Sequence, residues 1–503
     1  MEAQPLQAAV RRPITRSGLQ KLAVIDTLEV GPVKLTPERL SAEYRVYQNG
    51  QLFKNTLIYR YEEGVFDPRD PADYHLASMI AAQVAVNYGL FAKKMVFHGP
   101  LDGIDQQFLR DIIENTAREI YALKLREDNP FLMPGWEIPP AYNWASYTNA
   151  MLQFSEAVPL APQTAAPRPL DKRCGILSSG GKESLLTFSL LTEMGYEAYP
   201  LYGNESGRHW FTALNAYRHF RDNVPNTGRV WMNSDRLFSW MLQFLPFVRP
   251  DFASLRADEY PIRLWTVAVF LFGMLPLARK HRMGRILIGN EYDTTWPSVD
   301  RGIPNHSGLF DQSRHFDNLL SRYYQDRQWG FEQFSLLRQL SELMVQKILV
   351  KRYPQWQQHQ VSCHATHPVE GIIRPCGKCE KCRRVISMLT AVGGDPLNCL
   401  YQPDQVAKAL VAVSEKALHQ EGPVYRHLLW MLSRAGHIQL QPPASFLAQK
   451  QPAVMKLRFH PDRSPLEVIP EDMRRPLFDI LLNYADGAVR FNGEEWKKFD
   501  PMR

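Results

Sequence analysis

The chain has 503 residues, of which 45% are hydrophobic and 22% are charged, so it can form about two or three domains with buried cores. The formal net charge of +7 is mild and is not concentrated in a basic patch, so we do not expect a nucleic-acid partner. The most apolar run, residues 264–278, is shorter than the roughly 20 residues that cross a bilayer, so we expect no membrane partner either.

The N-terminal part of the chain has two predicted regions. Residues 1–20 contain three arginines but no apolar core of a secretory signal, which predicts a flexible terminus. Residues 21–158 are predicted to form an α+β domain. Two β-rich runs flank Asn49 and Gly50, a residue pair that favours a two-residue hairpin turn. Helical periodicity predicts helices at residues 72–87 and 106–124.

A proline-rich stretch separates this domain from the next one. The sequence VPLAPQTAAPRP has four prolines and little that could pack, which predicts an interdomain linker at residues 159–172. Residues 173–400 alternate strand-like runs with helices, which predicts an α/β domain with a parallel sheet. Residues 401–503 are expected to be mostly helical and carry no motif that we can interpret.

Ligands bind beyond the carboxyl ends of the strands in parallel sheets of this kind. The strand-like runs end at three places, which are therefore the expected ligand-binding positions: residues 178–184, Asn204, and residues 289–293.

The first of these places is the sequence SSGGKES, at residues 178–184. Two glycines between a strand and a helix bring bare N–H groups and the positive end of the helix dipole to one point, which suits a phosphate. The pattern matches neither the dinucleotide fingerprint nor the Walker loop. A plain turn that happens to contain two glycines is the alternative.

This stretch resembles the S-G-G-x-[DE]-S loop of the PP-loop ATP pyrophosphatase superfamily, which cleaves ATP to AMP and pyrophosphate while adenylating a substrate. The resemblance implies a PP-loop fold and a catalytic role for Lys182 and Glu183. Glu183 stands where Asp is usual, which leaves a direct role in binding Mg²⁺ open. The residues implied in ATP binding are Ser179, Gly180, Gly181, Lys182 and Ser184.

Four of the six cysteines lie close together in the sequence SCHATHPVEGIIRPCGKCEKCRR. Four thiolates can close a tetrahedral shell that leaves no open position, which predicts a structural Zn²⁺. An iron–sulfur cluster is the alternative, and His364 and His367 are substitute ligands that we favour less. Sparse, clustered cysteines also indicate a reducing, cytoplasmic location. The expected ligands are Cys363, Cys376, Cys379 and Cys382.

This cysteine spacing downstream of a glycine loop resembles the 7-cyano-7-deazaguanine synthase family. In that family the PP-loop activates a carboxylate and zinc holds the C-terminal lobe. The resemblance covers roughly residues 174–390.

A second resemblance rests on the blocks GNEYD, NHSGLFDQS, FSLLRQLSEL and CGKCEKCR, which begin at positions 289, 305, 334 and 376. Their layout is similar to that of the ATP-dependent UDP-N-acetylmuramoyl-L-alanyl-L-glutamate epimerase family, which activates a carboxylate and then inverts the α-carbon. Adenylation neutralises the carboxylate and so acidifies the α-proton, after which a positioned base is needed.

These blocks supply the remaining candidate residues. Gly289, Asn290, Glu291 and Asp293 are expected at the nucleotide, with Glu291 or Asp293 on Mg²⁺. His306 or Glu342 could move a proton, and Arg338 could hold a carboxylate or phosphate. Simpler alternatives are a helical i, i+4 pair for Arg338 and Glu342, and a solvated loop position for His306.

The resemblances therefore imply an ATP-dependent enzyme that activates a small-molecule carboxylic acid as an acyl adenylate, with ATP and Mg²⁺ as cofactors beside the structural Zn²⁺ that the cysteine spacing predicts. Epimerisation of an amino-acid or peptidyl carboxylate is the favoured outcome. The alternatives are amide or nitrile formation, modification of a nucleobase or tRNA, and a non-catalytic nucleotide-binding module. The sequence does not predict the oligomeric state.

Overall fold

The computed structural model describes residues 17–139, 144–156, 169–255, 261–306, 309–363, 365–416, 418–442 and 444–503. Most of the predicted flexible terminus, residues 1–16, lies outside the described residues. Residues 159–168 of the predicted linker lie outside them too, and residues 170–172 belong to a strand.

The first described part of the chain contains an antiparallel meander followed by two parallel strands. Its strands are β1 (Thr27–Thr36), β2 (Arg39–Gln48), β3 (Gln51–Tyr61), β4 (Lys94–Pro100) and β5 (Met151–Glu156). Its helices are α1 (Ser17–Gln20), α2 (Pro71–Ala82) and α3 (Gly103–Ile120). Asn49 and Gly50 form the turn between β2 and β3 with φ of 52° and 76°, which confirms the predicted hairpin.

The middle part alternates strands and helices, as the sequence predicts. Its strands are β6 (Leu170–Ser178), β7 (Glu197–Asn204), β8 (Gly228–Met232), β9 (Met283–Ile288), β10 (Pro297–Asp300), β11 (Ile303–His306), β12 (Glu332–Phe334), β13 (His367–Val369) and β14 (Ile372–Arg374). Its helices are α4 (Lys182–Glu193), α5 (Arg208–Asn223), α6 (Ser234–Leu242), α7 (Val267–Lys280), α8 (Arg314–Asp326), α9 (Glu342–Arg352) and α10 (Glu380–Ala391).

The last part contains helices, as expected, and a small sheet that the sequence does not predict. The helices are α11 (Pro403–Glu415), α12 (Gly422–Arg434), α13 (Ala444–Leu447) and α14 (Glu471–Leu482). The sheet consists of β15 (Leu457–Phe459), β16 (Ala488–Phe491) and β17 (Trp496–Phe499). None of the helices in the described residues has the length and apolarity that a membrane span requires.

A ten-stranded sheet runs through the first and middle parts in the order β12-β9-β6-β7-β8-β3-β2-β1-β4-β5. Its strands from β12 to β8 are parallel to one another, and β3 pairs with β8 in the antiparallel sense, with Tyr59 opposite Met232. The protein is thus a mixed α/β protein with a large, mostly parallel sheet. The strands of the predicted N-terminal domain extend this same sheet.

The strand order reverses next to β6, which is where sheets of this kind usually form their ligand crevice. After β6 the chain adds β7 and β8 on one side and β9 and β12 on the other, which gives the order 3-2-1-4-5 for these five strands. The crevice of such a sheet opens where the direction of winding reverses, between the carboxyl ends of β6 and β9. The glycine loop follows β6, and residues 289–293 follow β9.

Two hydrophobic cores cover the two faces of the parallel strands. Alternate residues of β7 point into different cores, Leu201 into one and Tyr202 into the other. The first core contains α2, α3 and α7, and the second contains α4, α9, α10, α12 and α14. Leu428 and Phe478 of the C-terminal part therefore share a core with Leu186 of the helix that follows the glycine loop.

Candidate functional site

The glycine loop turns sharply from β6 into α4. Gly180 has a φ of +72°, and a Cβ atom there would lie 3.1 Å from the Ala213 Cα of α5. Gly181 is the N-cap of α4 and provides no side-chain acceptor, so no cap side chain occupies the N–H groups of the first turn. The Ser184 hydroxyl donates to the Gly181 carbonyl oxygen at 3.0 Å, whereas Ser179 is exposed at the tip of the loop.

The turn after β9 packs directly on this loop. A Cβ atom on Gly289 would lie 2.8 Å from the Glu183 carbonyl carbon, so only glycine allows this approach. The next residue, Asn290, donates its backbone N–H to the Ser335 hydroxyl at 3.1 Å and is 4% exposed. Its side-chain Nδ2 has no hydrogen-bond partner among the described residues. A buried donor thus remains available beside the loop.

A buried ion pair lies at the start of α4. The Lys182 Nζ atom lies 2.5 Å from Glu183 Oε1 and 2.9 Å from Glu342 Oε1, and the Lys182 side chain is 5% exposed. Glu342 is the first residue of α9 and has two further partners. Arg384 Nε of α10 lies 3.5 Å from Glu342 Oε1, and Gln420 donates to Oε2 at 2.9 Å. The pair therefore joins α4, α9 and α10.

The charges around this pair fix its protonation. Burial by itself lowers the pKa of Lys182, but the carboxylates of Glu183 and Glu342 outweigh burial and raise it. Burial opposes the charged form of Glu342, yet Arg384 and Lys182 lower its pKa to about 2. Burial and then the charge of Glu183 raise the pKa of Glu291 well above its usual range. The environment therefore favours the protonated form of Glu291, while the Lys182–Glu342 pair stays charged.

Asp293 connects this pair to the C-terminal part of the chain. Its Oδ2 atom accepts the Glu342 backbone N–H at 2.8 Å, and its Oδ1 atom lies 2.7 Å from Arg458 Nη2. Arg458 and Arg463 both donate to Glu421, at 3.0 and 2.8 Å. Burial and the nearby Glu421 raise the pKa of Asp293 to about 7. Burial opposes ionisation of Glu421 too, but Arg458 and Arg463 lower its pKa to about 2.

Two other predicted residues lie outside this group. Asn204 ends β7, the strand next to β6, and its Oδ1 atom accepts the Ser206 N–H at 2.7 Å. His306 ends β11 and belongs to a different cluster, because its Nδ1 atom lies 2.9 Å from Glu119 Oε1 of α3. The ring of His315 lies 5.5 Å away. His306 is therefore a partly buried, paired histidine, so the alternative of a solvated loop histidine is wrong.

The guanidinium nitrogens of Arg338 all donate hydrogen bonds to other residues of the protein. Its Nε and Nη2 atoms donate to Asp317 at 3.1 and 2.5 Å, and Nη1 donates to Thr294 at 2.8 Å and to the Gln312 carbonyl at 2.9 Å. The side chain is 0% exposed. The alternative that Arg338 pairs with Glu342 in one helix is wrong, since α9 begins at Glu342. Arg338 therefore stabilises the packing of these segments, and its guanidinium has few hydrogen-bond donors left for a substrate.

The four predicted cysteines converge. Cys379 Sγ lies 3.5 Å from Cys382 Sγ and 4.0 Å from Cys363 Sγ, and Cys376 Sγ lies 3.9 Å from Cys382 Sγ. All four sulfur atoms lie within 4.8 Å of one another. Zinc–sulfur bonds of about 2.3 Å in a tetrahedron give sulfur separations of about 3.8 Å, so this set could bind a metal such as zinc.

The other thiols and imidazoles near this cluster do not complete it. Cys174 and Cys399 are buried in the second core, away from the four convergent sulfur atoms. His367 is exposed at the start of β13, and His364 lies outside the described residues.

The cysteine cluster borders the glycine loop. The Val361 N–H donates to the Gly180 carbonyl oxygen at 3.4 Å, two residues before Cys363. Cys382 lies on α10, the helix that carries Arg384 to Glu342. The cluster thus holds two segments that contact the loop and the buried pair.

The sequence did not single out Arg384, Gln420, Glu421, Arg458 or Arg463. A signal existed for Arg384, because it lies four residues after Glu380 on a helix that begins after Cys379. No local pattern points to the other four, which come from the part of the chain without a motif.

No protein-family model matches the chain, and no curated protein matches it either. The side chains and their geometry therefore carry the functional inference. Any function has to account for the glycine loop, the buried pair beside it and the cysteine cluster.

Gly289→Ala should lower the thermal unfolding temperature, because the added methyl group would overlap the Glu183 backbone and overpacking costs about 1–3 kcal/mol. Gly103→Ala is the matched control, since a Cβ atom at Gly103 meets nothing within 4 Å. Thermal unfolding followed by circular dichroism compares the two. Equal unfolding temperatures for both variants would contradict the tight packing of β9 on the loop.

Proposed function

We propose that the protein is an ATP-dependent enzyme that activates the carboxylate of a small acid as an acyl adenylate and releases pyrophosphate. The observation that carries this function is the position of the glycine loop. It lies at the reversal point between β6 and β9 and leads into a helix whose first residue is the buried Lys182.

A phosphate group suits the start of α4. The N–H groups of the first turn carry partial positive charge, and Lys182 adds a full charge at the same place. In the structure Lys182 contacts two carboxylates, of which Glu342 is buried and Glu183 has a side chain that is 25% exposed. Glu183 is the partner that a phosphate would displace. The unpaired Nδ2 of Asn290 is a further donor beside this position.

The carboxylates near Lys182 suit Mg²⁺ only together with phosphate oxygens. Among the described residues, the cysteines are the one group of three or more ligand side chains whose atoms converge within 4.8 Å. Mg²⁺ usually takes one or two carboxylates and completes its shell with water and phosphate. Glu183 would hold it, because Asp293 is already bound to Arg458 and the raised pKa of Glu291 disfavours the ionised form that a metal ion requires.

Epimerisation is the outcome that we favour after adenylation. A carboxyl group that holds its proton near neutrality is suited to exchange a proton with an activated α-carbon. Burial and the charge of Glu183 raise the pKa of Glu291 well above its usual range, which makes Glu291 the candidate for this role. The second candidate is an amide- or nitrile-forming synthase, which the C-G-x-C-x-x-C spacing beside a glycine loop favours.

We assign a structural role to zinc at the cysteine cluster. Four thiolates close the coordination shell and leave no position for water or substrate. Zinc would hold residues 361–363 against the glycine loop and fix the start of α10, which carries Arg384.

Lys182→Gln should weaken ATP binding by at least about tenfold, because it removes the cation at the phosphate position. Glutamine can still donate to Glu342, which limits the loss of stability that breaking a buried pair causes. Lys408→Ala is the control, since the Lys408 side chain is 78% exposed. Calorimetric titration with ATP measures both, and wild-type affinity in Lys182→Gln would exclude this phosphate site.

The acid substrate and the reaction that follows its adenylation can be identified in one set of experiments. Exchange of ³²P-pyrophosphate into ATP, screened over candidate acids, reveals the acid that is adenylated. With that acid and ATP in D₂O, we expect deuterium at the α-carbon without any nitrogen donor, measured by mass spectrometry and proton NMR. Product that requires ammonia, with no deuterium incorporated, would instead establish the synthase.

Cys379→Ser should lower both the zinc content and the unfolding temperature, because a closed zinc site contributes to folding. Cys174→Ser is the control and should retain zinc, since Cys174 is buried in β6 outside the cluster. Metal analysis of the folded protein measures the ratio of zinc to chain. A full zinc content in Cys379→Ser would show that the cysteines do not form the site.

A further inference from the structure

A cavity of about 540 Å³ lies in the C-terminal part of the chain. Its walls come from the start of α12, the turn before β15, and the strands β15, β16 and β17. The lining also includes Tyr292 from the turn after β9, and His460 and Arg463 from the segment after β15. The volume falls within the range of about 300–1,000 Å³ that is usual for small-molecule sites.

Four aromatic rings line this cavity. The rings of His460 and Phe491 are stacked, with centroids 4.9 Å apart and planes 8° apart. Trp496 lies 5.4 Å from Phe491 and 6.2 Å from Tyr292. Phe491 and Trp496 are only half-buried. A flat ring in the cavity could therefore stack on them.

The cavity is also positively charged. Arg458 and Arg463 lie against the Tyr292 ring, 3.6 and 3.8 Å from its centroid, and both pair with Glu421. Arg458 also pairs with Asp293, which lies outside the lining. Lys456 lines the cavity as well, and its ammonium has no ion-pair partner among the described residues. The three cations of the lining thus face two carboxylates, Glu421 and Asp293, and this excess of positive charge favours an anionic ligand.

His460 adds a neutral donor. Its Nδ1 atom accepts the Asp462 N–H at 3.1 Å, which assigns the proton of the neutral ring to Nε2. Burial and the charge of Arg463 lower the pKa of His460, so the ring stays neutral near pH 7.

We propose that this cavity is a second binding site, for a small anion that carries a flat ring. The ring would stack on Trp496 and contact Phe491 at an angle, because the planes of these two side chains lie 55° apart, and the anionic group would contact Lys456 and Arg463. An aryl carboxylate and a nucleoside monophosphate share this chemistry. The site does not depend on the ATP chemistry proposed above, because none of its lining residues belongs to the glycine loop.

Calorimetric titration of the full-length protein tests this site. The probes are indole-3-acetate and guanosine monophosphate as ring-bearing anions, with acetate and inorganic phosphate as matched anions without a ring. We expect at least one ring-bearing anion to bind at least about tenfold more tightly than its ring-free match. If indole-3-acetate binds more tightly than guanosine monophosphate, the ligand is an aryl carboxylate; in the opposite case it is a nucleoside monophosphate. No preference for either ring-bearing anion would overturn the proposal.

Three variants locate the binding. Trp496→Leu and Lys456→Gln should each weaken binding of the ring-bearing anion by about tenfold or more. Lys456 is only half-buried, so Lys456→Gln should still fold and test the site if Trp496→Leu folds poorly. Trp430→Leu is the matched control, because Trp430 lies on α12 outside the cavity lining. Lys182→Gln should also retain binding. Loss of binding in Lys182→Gln, or wild-type affinity in Lys456→Gln, would refute a site in this cavity.

Discussion

A buried ammonium is the constraint on which the rest of the site depends. Lys182 lies at the start of α4 with almost no exposure, so its charge requires an anion within hydrogen-bond distance. Glu342 supplies that anion but is buried as well, so it requires Arg384 and Gln420. These requirements fix the starts of α4 and α9 against α10. The site is therefore organised before any ligand binds, which limits the reorganisation that binding and chemistry would need.

Much of this arrangement could be predicted from local sequence. The glycine loop and Gly289 follow apolar runs in an alternating strand–helix pattern. Ligands bind beyond the carboxyl ends of parallel strands, so the ends of these runs are enough to predict both positions. The turn at Asn49 and Gly50 requires two residues with positive φ, which this pair tolerates. The convergence of Cys376, Cys379 and Cys382 was predictable because two overlapping C-x-x-C steps leave their thiolates within reach of one ion, and Cys363 precedes Cys376 by only 13 positions.

Contacts between distant segments could not be predicted in this way. Alternation of apolar residues shows which face of β3 is buried, but not that β8 is its partner. Arg338 was expected to hold a substrate and instead pairs with Asp317 on α8, a contact that no local spacing reveals. Arg458 meets Asp293 across 165 positions in the sequence. A single sequence carries no signal for such a pair, because neither residue lies in a pattern that requires the other.

Because these contacts join residues that are far apart in the sequence, the site can be completed only late in synthesis. Every strand of the large sheet precedes residue 335, whereas Arg458 and Arg463 are among the last fifty residues of the sequence. Since chains emerge from the ribosome N-terminus first, the sheet can form while Asp293 and Glu421 still lack their cations. A chain that stops before Arg458 would still contain the residues of every strand of the large sheet and the four clustered cysteines, but it would lack α14 of the second core. It would nevertheless lack the charges that hold the turn after β9 in place.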